Sequence, residues 1–358
     1  ELAELGAVYD SGALSNRNLI INGGQQIWQR ASATTTIVNG QYGTVDRWAF
    51  NKGSSGAYTS TRSTDVPSGQ GFSYSNKLDV TTAEGSLAAG SAYILKHRIE
   101  AQNLAKLAYG TSGAKTITLS FWVKSNKTGT YSINLYKFDN TTYNYVREFS
   151  ISSADTWEKK ELTITPTAGS TSFITSAAGA IDVNNDMGLD VNFCLALGSN
   201  YTGSTNDSWS SNGNHYGTTN NVNWADSTSN NFYITGCQLE VGTEATPFEH
   251  RSFDQEFILC QRYYQKSYVY GTAIGTATQE GFWSTGGHQG GTSTNYIEGI
   301  INFERLMRAT PAIVIYDHSG NSGKCARLAA GTARYANENI GTAQLCARGV
   351  VLYSASGT

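Results

Sequence analysis

Apolar and polar side chains alternate through Thr116-Ile117-Thr118-Leu119-Ser120-Phe121-Trp122-Val123. Because successive side chains of an extended strand point to opposite faces of a sheet, this pattern predicts a strand with one buried face. Similar runs, separated by clusters of Gly, Asn and Asp, follow along most of the chain without long helices between them. They predict an all-β fold, an antiparallel jelly-roll sandwich. The other strands predicted in this region are 46–50, 72–80, 131–136, 143–151, 160–165, 189–197 and 231–241.

The composition is that of a folded chain with little charge. Of its 358 residues, 25 are basic and 28 acidic, so that 15% are charged, against about 25% in ordinary soluble domains. A hydrophobic content of 39% argues against disorder, and no apolar run approaches the roughly 18 residues of a membrane helix. The net charge is −3, without a Lys/Arg block. We therefore expect neither membrane insertion nor nucleic-acid binding.

A helix is predicted near residue 252. Ser252-Phe253-Asp254-Gln255 has the form of a capping box. In this motif the side chain of Ser252 accepts a hydrogen bond from the backbone amide of Gln255, and the side chain of Gln255 accepts one from the backbone amide of Ser252. Beyond it, four apolar residues recur at helical spacing: Phe253, Phe257, Cys260 and Tyr264. In a trimer this stripe would lie partly on the threefold axis.

This helix divides the chain into segments. We predict a linker over residues 1–16, and the opening Glu1-Leu2-Ala3-Glu4-Leu5 has no signal-peptide pattern. A jelly-roll domain follows over 17–250, with a short helix at 99–109 covering one end. The connector helix spans 251–266. A smaller β-rich tip occupies 267–358, with strands at 296–303, 312–316 and 349–353.

Common catalytic and metal-binding motifs are missing from the sequence. The five histidines lie far apart, and the five cysteines form no C-x-x-C pair. We expect the cysteines to be reduced and mostly buried, with a Cys194–Cys237 disulfide as the alternative. The acidic segment 182–188 resembles half of a calcium loop, but its glycine is one place late and Phe193 stands where that loop needs Glu. We predict a non-enzymatic protein without a cofactor or metal site.

The segment 201–231 has few aliphatic residues but several aromatic rings. It holds the candidate glycan-binding residues Trp209, His215, Tyr216 and Trp224. A ring face exposed to water can cover the C–H patch of a sugar while polar neighbours bind its hydroxyls. Alternatively, these rings hold a long loop onto its own sheet.

Two further surfaces are candidates for glycan binding. On strand 131–138, Tyr136 shares a face with Asn134 and Phe138, which Arg147 on the next strand could extend. The alternative for that face is a subunit interface. In the tip, Trp283 and His288 lie in a Gly-rich loop that could expose them, with core packing as the alternative for Trp283.

Several motifs resemble those of tailed-phage tail-fibre and virion proteins. Asn18-Leu19-Ile20-Ile21-Asn22-Gly23, with Trp28-Gln29-Arg30 and Asp46-Arg47-Trp48 after it, is similar to the start of such proteins. Residues 232–242, 245–251 and 260–266 resemble the block that closes the same domain. Met307-Arg308-Ala309-Thr310-Pro311 is similar to a motif of their C-terminal β domain. It is the order of the motifs that makes the resemblance specific.

The resemblance implies a jelly roll like those of carbohydrate-binding modules, assembled as a homotrimer in a fibre. It also implies a virion tail location after assembly in the host cytoplasm, contacts with other tail proteins, and adsorption to a bacterial surface glycan. Glu240 and Arg251 lie in matched motifs and are interpreted as structural. Two alternatives stay open: a purely structural virion component, such as a head decoration or fibre adaptor, and a polysaccharide depolymerase.

Overall fold

The computed structural model describes residues 16–31, 35–37, 39–40, 42–53, 55–281, 299–328 and 334–354. The chain forms two units, residues 1–256 and residues 257–358. In the first unit the strands are β1 (Thr35–Thr36), β2 (Trp48–Asn51), β3 (Ala57–Ser63), β4 (Ser75–Thr82), β5 (Ala92–Glu100), β6 (Ile117–Lys124), β7 (Gly129–Lys137), β8 (Tyr143–Ile151), β9 (Glu158–Ile164), β10 (Met187–Leu197), β11 (Ser208–Ser210) and β12 (Asn231–Val241).

These strands form two six-stranded antiparallel sheets. The first sheet has the order β1-β3-β4-β12-β6-β9 and the second the order β11-β8-β7-β10-β5-β2. Alternate residues of both sheets, such as Phe121 on β6 and Phe193 on β10, are buried in one shared core. The Phe121 ring meets the rings of Phe149 and Phe193 edge-on, each at 5.1 Å, so aromatic contacts join the two sheets. The predicted all-β class and antiparallel jelly-roll sandwich are confirmed.

The motifs that carry the family resemblance make structural contacts. Asn18 Nδ2 donates to Cys237 O at 3.1 Å, and Leu239 N donates to Asn18 Oδ1 at 3.1 Å, which pairs the N-terminal segment with β12. Arg251 donates to the carbonyl oxygens of Asn18 and Ile20. These buried backbone groups are thereby satisfied by side chains.

The helices are short. A 3₁₀ helix spans Ala101–Leu107, within the predicted 99–109. The helix α1 spans Phe253–Gln261 and begins with the predicted capping box: Ser252 N donates to Gln255 Oε1 at 3.1 Å, and Gln255 N donates to Ser252 Oγ at 3.3 Å. In the described part of the chain, no helix has the length and apolarity needed to cross a membrane.

The helix α1 ends five residues before the predicted 266, and this corrects the proposed stripe. Beyond the end of α1, the side chain of Gln265 donates to Arg305 O at 2.8 Å and accepts from Glu304 N at 2.9 Å. Tyr264 lies outside α1. Cys260 is fully buried, whereas Phe253 is 45% exposed. The stripe is not one continuous exposed face, and the trimer remains a prediction.

The second unit contains a four-stranded antiparallel sheet. Its strands are β13 (Gly299–Asn302), β14 (Lys324–Leu328), β15 (Arg334–Cys346) and β16 (Gly349–Ser354), in the order β13-β16-β15-β14. Ile301, Val350 and Leu352 form its small core. The predicted strand 312–316 is wrong, since this segment has only an isolated bridge from Tyr316 to Ser322. Asp317 closes a turn there by accepting from the amides of Ser319 and Asn321, both at 2.9 Å.

All five cysteines lie in described residues, and none forms a disulfide. Cys194, Cys237 and Cys260 are buried, and Cys346 is exposed. Burial raises the pKa of the Cys194 and Cys237 thiols, so both stay protonated and unreactive at neutral pH.

We expect a thiol reagent such as DTNB to label Cys346 rapidly in the native protein and the three buried thiols only after unfolding. Rapid labelling that persists in Cys346→Ser at the rate of the wild type would contradict this assignment.

Candidate functional site

The outer face of the second sheet carries a row of polar side chains across its centre. On β10, Val191 and Phe193 face the core, so Asp190 and Asn192 face outward. The strand register places Asp190 opposite Tyr136 on β7 and Arg98 on β5, and Asn192 opposite Asn134 and Lys96. Paired residues of neighbouring strands share a face. We call Lys96, Arg98, Asn134, Asp190 and Asn192 the polar floor.

The amides of the polar floor are held in fixed orientations. Asn192 Nδ2 donates to Asn134 Oδ1 at 2.9 Å, and Asn134 Nδ2 donates to Asn144 Oδ1 at 3.1 Å. Asn144 Nδ2 donates in turn to Asn212 O. The side chains of Asn192, Asn134 and Asn144 are all buried. The row is therefore a pre-oriented polar network beneath the half-buried side chains of this face, and it needs little further ordering on binding.

A charged pair lies beside this row. Arg98 Nε and Nη2 donate to the two carboxylate oxygens of Asp190, each at 2.7 Å. Burial disfavours the charged form of Arg98, but the hydrogen bonds and negative charge of Asp190 outweigh it and raise the pKa of Arg98. The guanidinium also lies over the Phe138 ring at 5.1 Å. This bidentate arrangement fixes the plane of Arg98.

Three half-buried tyrosines, Tyr136, Tyr201 and Tyr216, stand at one side of the polar floor, and we call them the tyrosine cluster. The Tyr136 and Tyr216 rings are stacked at 5.9 Å with an interplanar angle of 13°. The Tyr201 ring meets Tyr216 edge-on at 5.6 Å. Burial raises the pKa of Tyr216 to about 12, so its hydroxyl remains a hydrogen-bond donor at neutral pH.

The loop that supplies Tyr201 and Tyr216 is fixed to the sheet. Tyr216 N donates to Tyr201 O at 2.8 Å, and Cys194 Sγ lies 3.5 Å from Tyr216 O. At Gly217 a Cβ atom would lie 2.6 Å from Leu197 Cδ1, so the backbone of this loop packs closely against the sheet. His215, also half-buried, lies on the same loop with its Nδ1 3.1 Å from Asn212 Nδ2. The structure therefore brings His215 and Tyr216 of the loop close to Tyr136 of β7, whereas the sequence predicted two separate surfaces.

Trp209 and Trp224 are not part of this surface, which corrects their prediction as glycan-binding residues. Trp209 is 2% exposed, and its indole donates to Thr165 O at 2.9 Å. Trp224 is fully buried, and its indole donates to Asn231 O at 3.0 Å. Both rings belong to the sandwich core. They hold the loop onto the sheets, which was the alternative interpretation.

Arg147 is also excluded from the Tyr136 face. The register places Arg147 opposite Ile133, and Tyr136 opposite Asn144. Because Ile133 faces the core, Arg147 lies on the opposite side of the second sheet from Tyr136. There it forms an ion pair with Asp207, which also accepts from the Tyr145 hydroxyl at 2.6 Å.

Trp283 and His288 lie outside the described residues. Among the described residues, no group of three or more His, Cys, Asp or Glu could hold a metal ion. Within the acidic segment 182–188, Asn184 Oδ1 accepts from Asp186 N at 2.9 Å, which is an ordinary Asx turn.

The sequence interpretation did not select Lys96 or Arg98. Both lie on β5, a strand that was not predicted. The sequence signal for this strand was the alternation of two sets of residues along it. One set is buried (Tyr93, Leu95, His97 and Ile99), and Lys96 and Arg98 between them are only half-buried. Asp190 and Asn192 alternate in the same way with Val191 and Phe193 along β10.

No family model and no curated protein matches the chain. Among solved structures, it is similar to the enzymatically active domain of bacteriophage CBA120 tailspike protein 4 (14% identity, TM-score 0.32), over 63% of this chain and 22% of that one. The chain thus spans about a fifth of the tailspike structure.

A family 11 carbohydrate-binding module from Clostridium thermocellum, solved with a β-1,3-1,4-mixed-linked tetrasaccharide, has 10% identity and a TM-score of 0.30. The similarity covers 60% of this chain and 99% of the module. An exo-β-agarase has 8% identity and a TM-score of 0.31, over 58% of this chain and 25% of its own. The fold and the candidate site described above rest on the strands and contacts of this chain itself.

Proposed function

We propose that this protein is a non-enzymatic tail-fibre or receptor-binding protein of a tailed bacteriophage, and that it binds a bacterial surface glycan on the outer face of the second sheet. The observation that carries the proposal is the polar floor with the tyrosine cluster beside it. Half-buried rings supply apolar surface for the C–H face of a sugar. The half-buried guanidinium of Arg98, held in place by Asp190 at 2.7 Å, supplies donors for its hydroxyls. The phage assignment is supported by the ordered motifs of the sequence.

The extent of the site favours a polymer over a single sugar. Lys96 and Tyr136 are separated by two strand spacings across the sheet and by two residues along it. At about 4.8 Å per spacing and about 3.4 Å per residue, their backbones lie about 12 Å apart. A ligand in contact with both ends therefore has more than one ring. Several copies of such a site in a fibre would bind a repeating polysaccharide with added avidity.

The arrangement of carboxylates favours binding without cleavage. Glycoside hydrolases place two carboxyl groups between about 5 and 9.5 Å apart. On this face, both oxygens of Asp190 accept from Arg98. Glu148 lies on β8, four residues along from Asn144, which is level with Asp190. That offset alone is about 14 Å. Glu100 on β5 lies nearer to Asp190, but it is 2% exposed and accepts from Gln102 Nε2 at 2.6 Å, so neither carboxylate is presented with Asp190 as a hydrolytic pair.

The test is retention of the purified protein on immobilised envelope polysaccharides from a panel of bacteria. We expect the wild type to be retained by at least one polysaccharide, and Tyr136→Ala/Tyr216→Ala to lose affinity by at least about tenfold, the effect of losing one stacking contact or more. No reducing ends should be released on long incubation.

The matched control is Tyr233→Ala. Tyr233 is a half-buried tyrosine on the outer face of the first sheet, where the Lys124 ammonium covers its ring at 4.4 Å. This variant is expected to bind like the wild type. Retention of the double variant at wild-type strength would move the site elsewhere. A wild type that binds none of the panel would favour the purely structural virion component.

A further inference from the structure

The charges of the polar floor are unevenly compensated. Its three charged side chains are Lys96, Arg98 and Asp190. Arg98 occupies both carboxylate oxygens of Asp190, at 2.7 Å each, so that this pair is neutral as a unit. The positive charge of Lys96 is therefore not balanced by a negative charge within the polar floor.

Lys96 is held in a partly dehydrated position. Its neighbours across the two adjacent strands are Ala49 and Asn192, each 3% exposed. Burial lowers the pKa of Lys96, the charge of Arg98 acts in the same direction, and Asp190 offsets only part of this. Among the described residues, no carboxylate lies within ion-pair distance of the Lys96 ammonium.

Three other half-buried lysines of the sandwich do have acidic partners. Lys77 pairs with Asp79 at 2.9 Å and Lys160 with Glu158 at 2.6 Å. Lys127 pairs with Asp226 at 2.5 Å. An ammonium that has lost water without gaining a partner is unfavourable, and an anion placed beside it recovers that free energy. Lys96 is thus a preformed position for a negatively charged group.

We infer that the glycan bound at the polar floor is anionic, and that the Lys96 ammonium receives its carboxylate or phosphate substituent. This inference rests on the proposed function and deepens it by naming the class of ligand. Arg98 binds hydroxyl groups of the same polymer. Two other acidic residues face this side of the sheet. Glu148 lies two strands beyond β10, and Glu100 lies four residues along β5 from Lys96, is 2% exposed and accepts from Gln102 Nε2 at 2.6 Å. Neither repels an anion at Lys96 strongly across a screened surface.

The test uses pairs of polysaccharides that differ only in charge. Alginate, polygalacturonate and hyaluronan are each compared with their own carboxyl-reduced form, and a phosphate-bearing mannan with its dephosphorylated form. At 0.15 M salt, we expect the wild type to bind the charged member of at least one pair about tenfold more tightly, as for one charge-assisted contact. The carboxylate pairs and the phosphate pair show which substituent is recognised.

Lys96→Met is expected to bind the two members of that pair equally. The matched control is Lys159→Met, which removes the same charge from the opposite sheet, where Lys159 pairs with Glu161 at 2.6 Å, and should keep the wild-type preference. Equal binding of both members by the wild type would overturn the inference but leave glycan binding intact. A preference that survives in Lys96→Met would overturn the role of Lys96. Binding of neither member of any pair would count against the proposed function itself.

Discussion

Replacing Trp224 by alanine is expected to lower the free energy of unfolding by about 3–5 kcal/mol, the usual cost of removing a large aromatic side chain from a core. Trp224 is fully buried, and its ring meets Tyr58 edge-on at 5.7 Å. The substitution leaves a cavity and also removes one of the two side-chain donors to Asn231 O, the indole at 3.0 Å. Urea unfolding followed by circular dichroism measures the change.

Trp157→Ala is the matched control for this prediction. Trp157 is half-exposed on the outer side of the first sheet, where its indole donates to Asp65 at 2.9 Å. Its loss is expected to cost about 1 kcal/mol or less. If Trp224→Ala were as stable as Trp157→Ala and lost glycan binding instead, Trp224 would be a ligand-binding residue, as the sequence alone suggested.

Trp224 shows why the sequence did not separate core residues from surface residues in this loop. Residues 201–231 have no period-two or helical pattern, so nothing in the sequence assigns a ring to a face. Burial of Trp224 follows from a short 3₁₀ helix, Trp224–Asp226, whose N-cap Asn223 accepts from Ala225 N at 3.0 Å. Such a helix is too short to leave a sequence signature, and only tertiary contacts decide its position.

Arg147 shows a different limit. The strands 131–136 and 143–151 were predicted close to their observed bounds, since alternation is a strong local signal. The register between them was not predicted, because it depends on the conformation of the connecting turn. A shift of one residue moves every side chain to the other face. The choice of Arg147 as a neighbour of Tyr136 assumed the wrong face.

The β5 strand was missed because two buried positions look polar in the sequence. His97 interrupts the apolar face of Ala92–Glu100, and Glu100 ends the strand on the opposite face, yet both are buried. His97 is accommodated because its Nε2 lies 3.2 Å from Ile21 N, a contact between residues 76 positions apart. Without that contact, the sequence favoured a helix start at residue 99. Lys96 and Arg98 were lost from the predicted site with this strand.

Glu84 is expected to give the second large effect on stability. Its carboxylate is 4% exposed and accepts from several donors: Gly56 N at 3.3 Å, Ala88 N at 3.1 Å, Ser91 Oγ and Tyr93 Oη at 2.6 Å. Its backbone joins a third segment, since Glu84 N donates to Ala225 O at 2.8 Å. Glu84 therefore joins three segments at the same end of the sandwich, two through its side chain and the third through its backbone amide.

Burial alone would raise the pKa of the Glu84 carboxyl, but the hydrogen bonds from Ser91, Tyr93 and the backbone amides outweigh it and lower the pKa from 4.5 to about 2. A pKa that is lower in the folded state means that the ionised carboxylate stabilises the fold above pH 4.5. That stabilisation, about 3 kcal/mol, is lost as the pH falls from 4.5 through about 2.

Glu84→Gln should therefore lower the free energy of unfolding by about 3 kcal/mol at pH 7, because one face of the amide presents a donor to groups that already donate. The difference from the wild type should shrink between pH 4.5 and 2, where the wild-type carboxyl itself becomes protonated. Urea unfolding at a series of pH values measures both effects. Glu244→Gln, at an exposed position, should match the wild type throughout. A Glu84→Gln deficit that stays constant down to pH 2 would show that shape, and not the charge of the carboxylate, accounts for the role of Glu84.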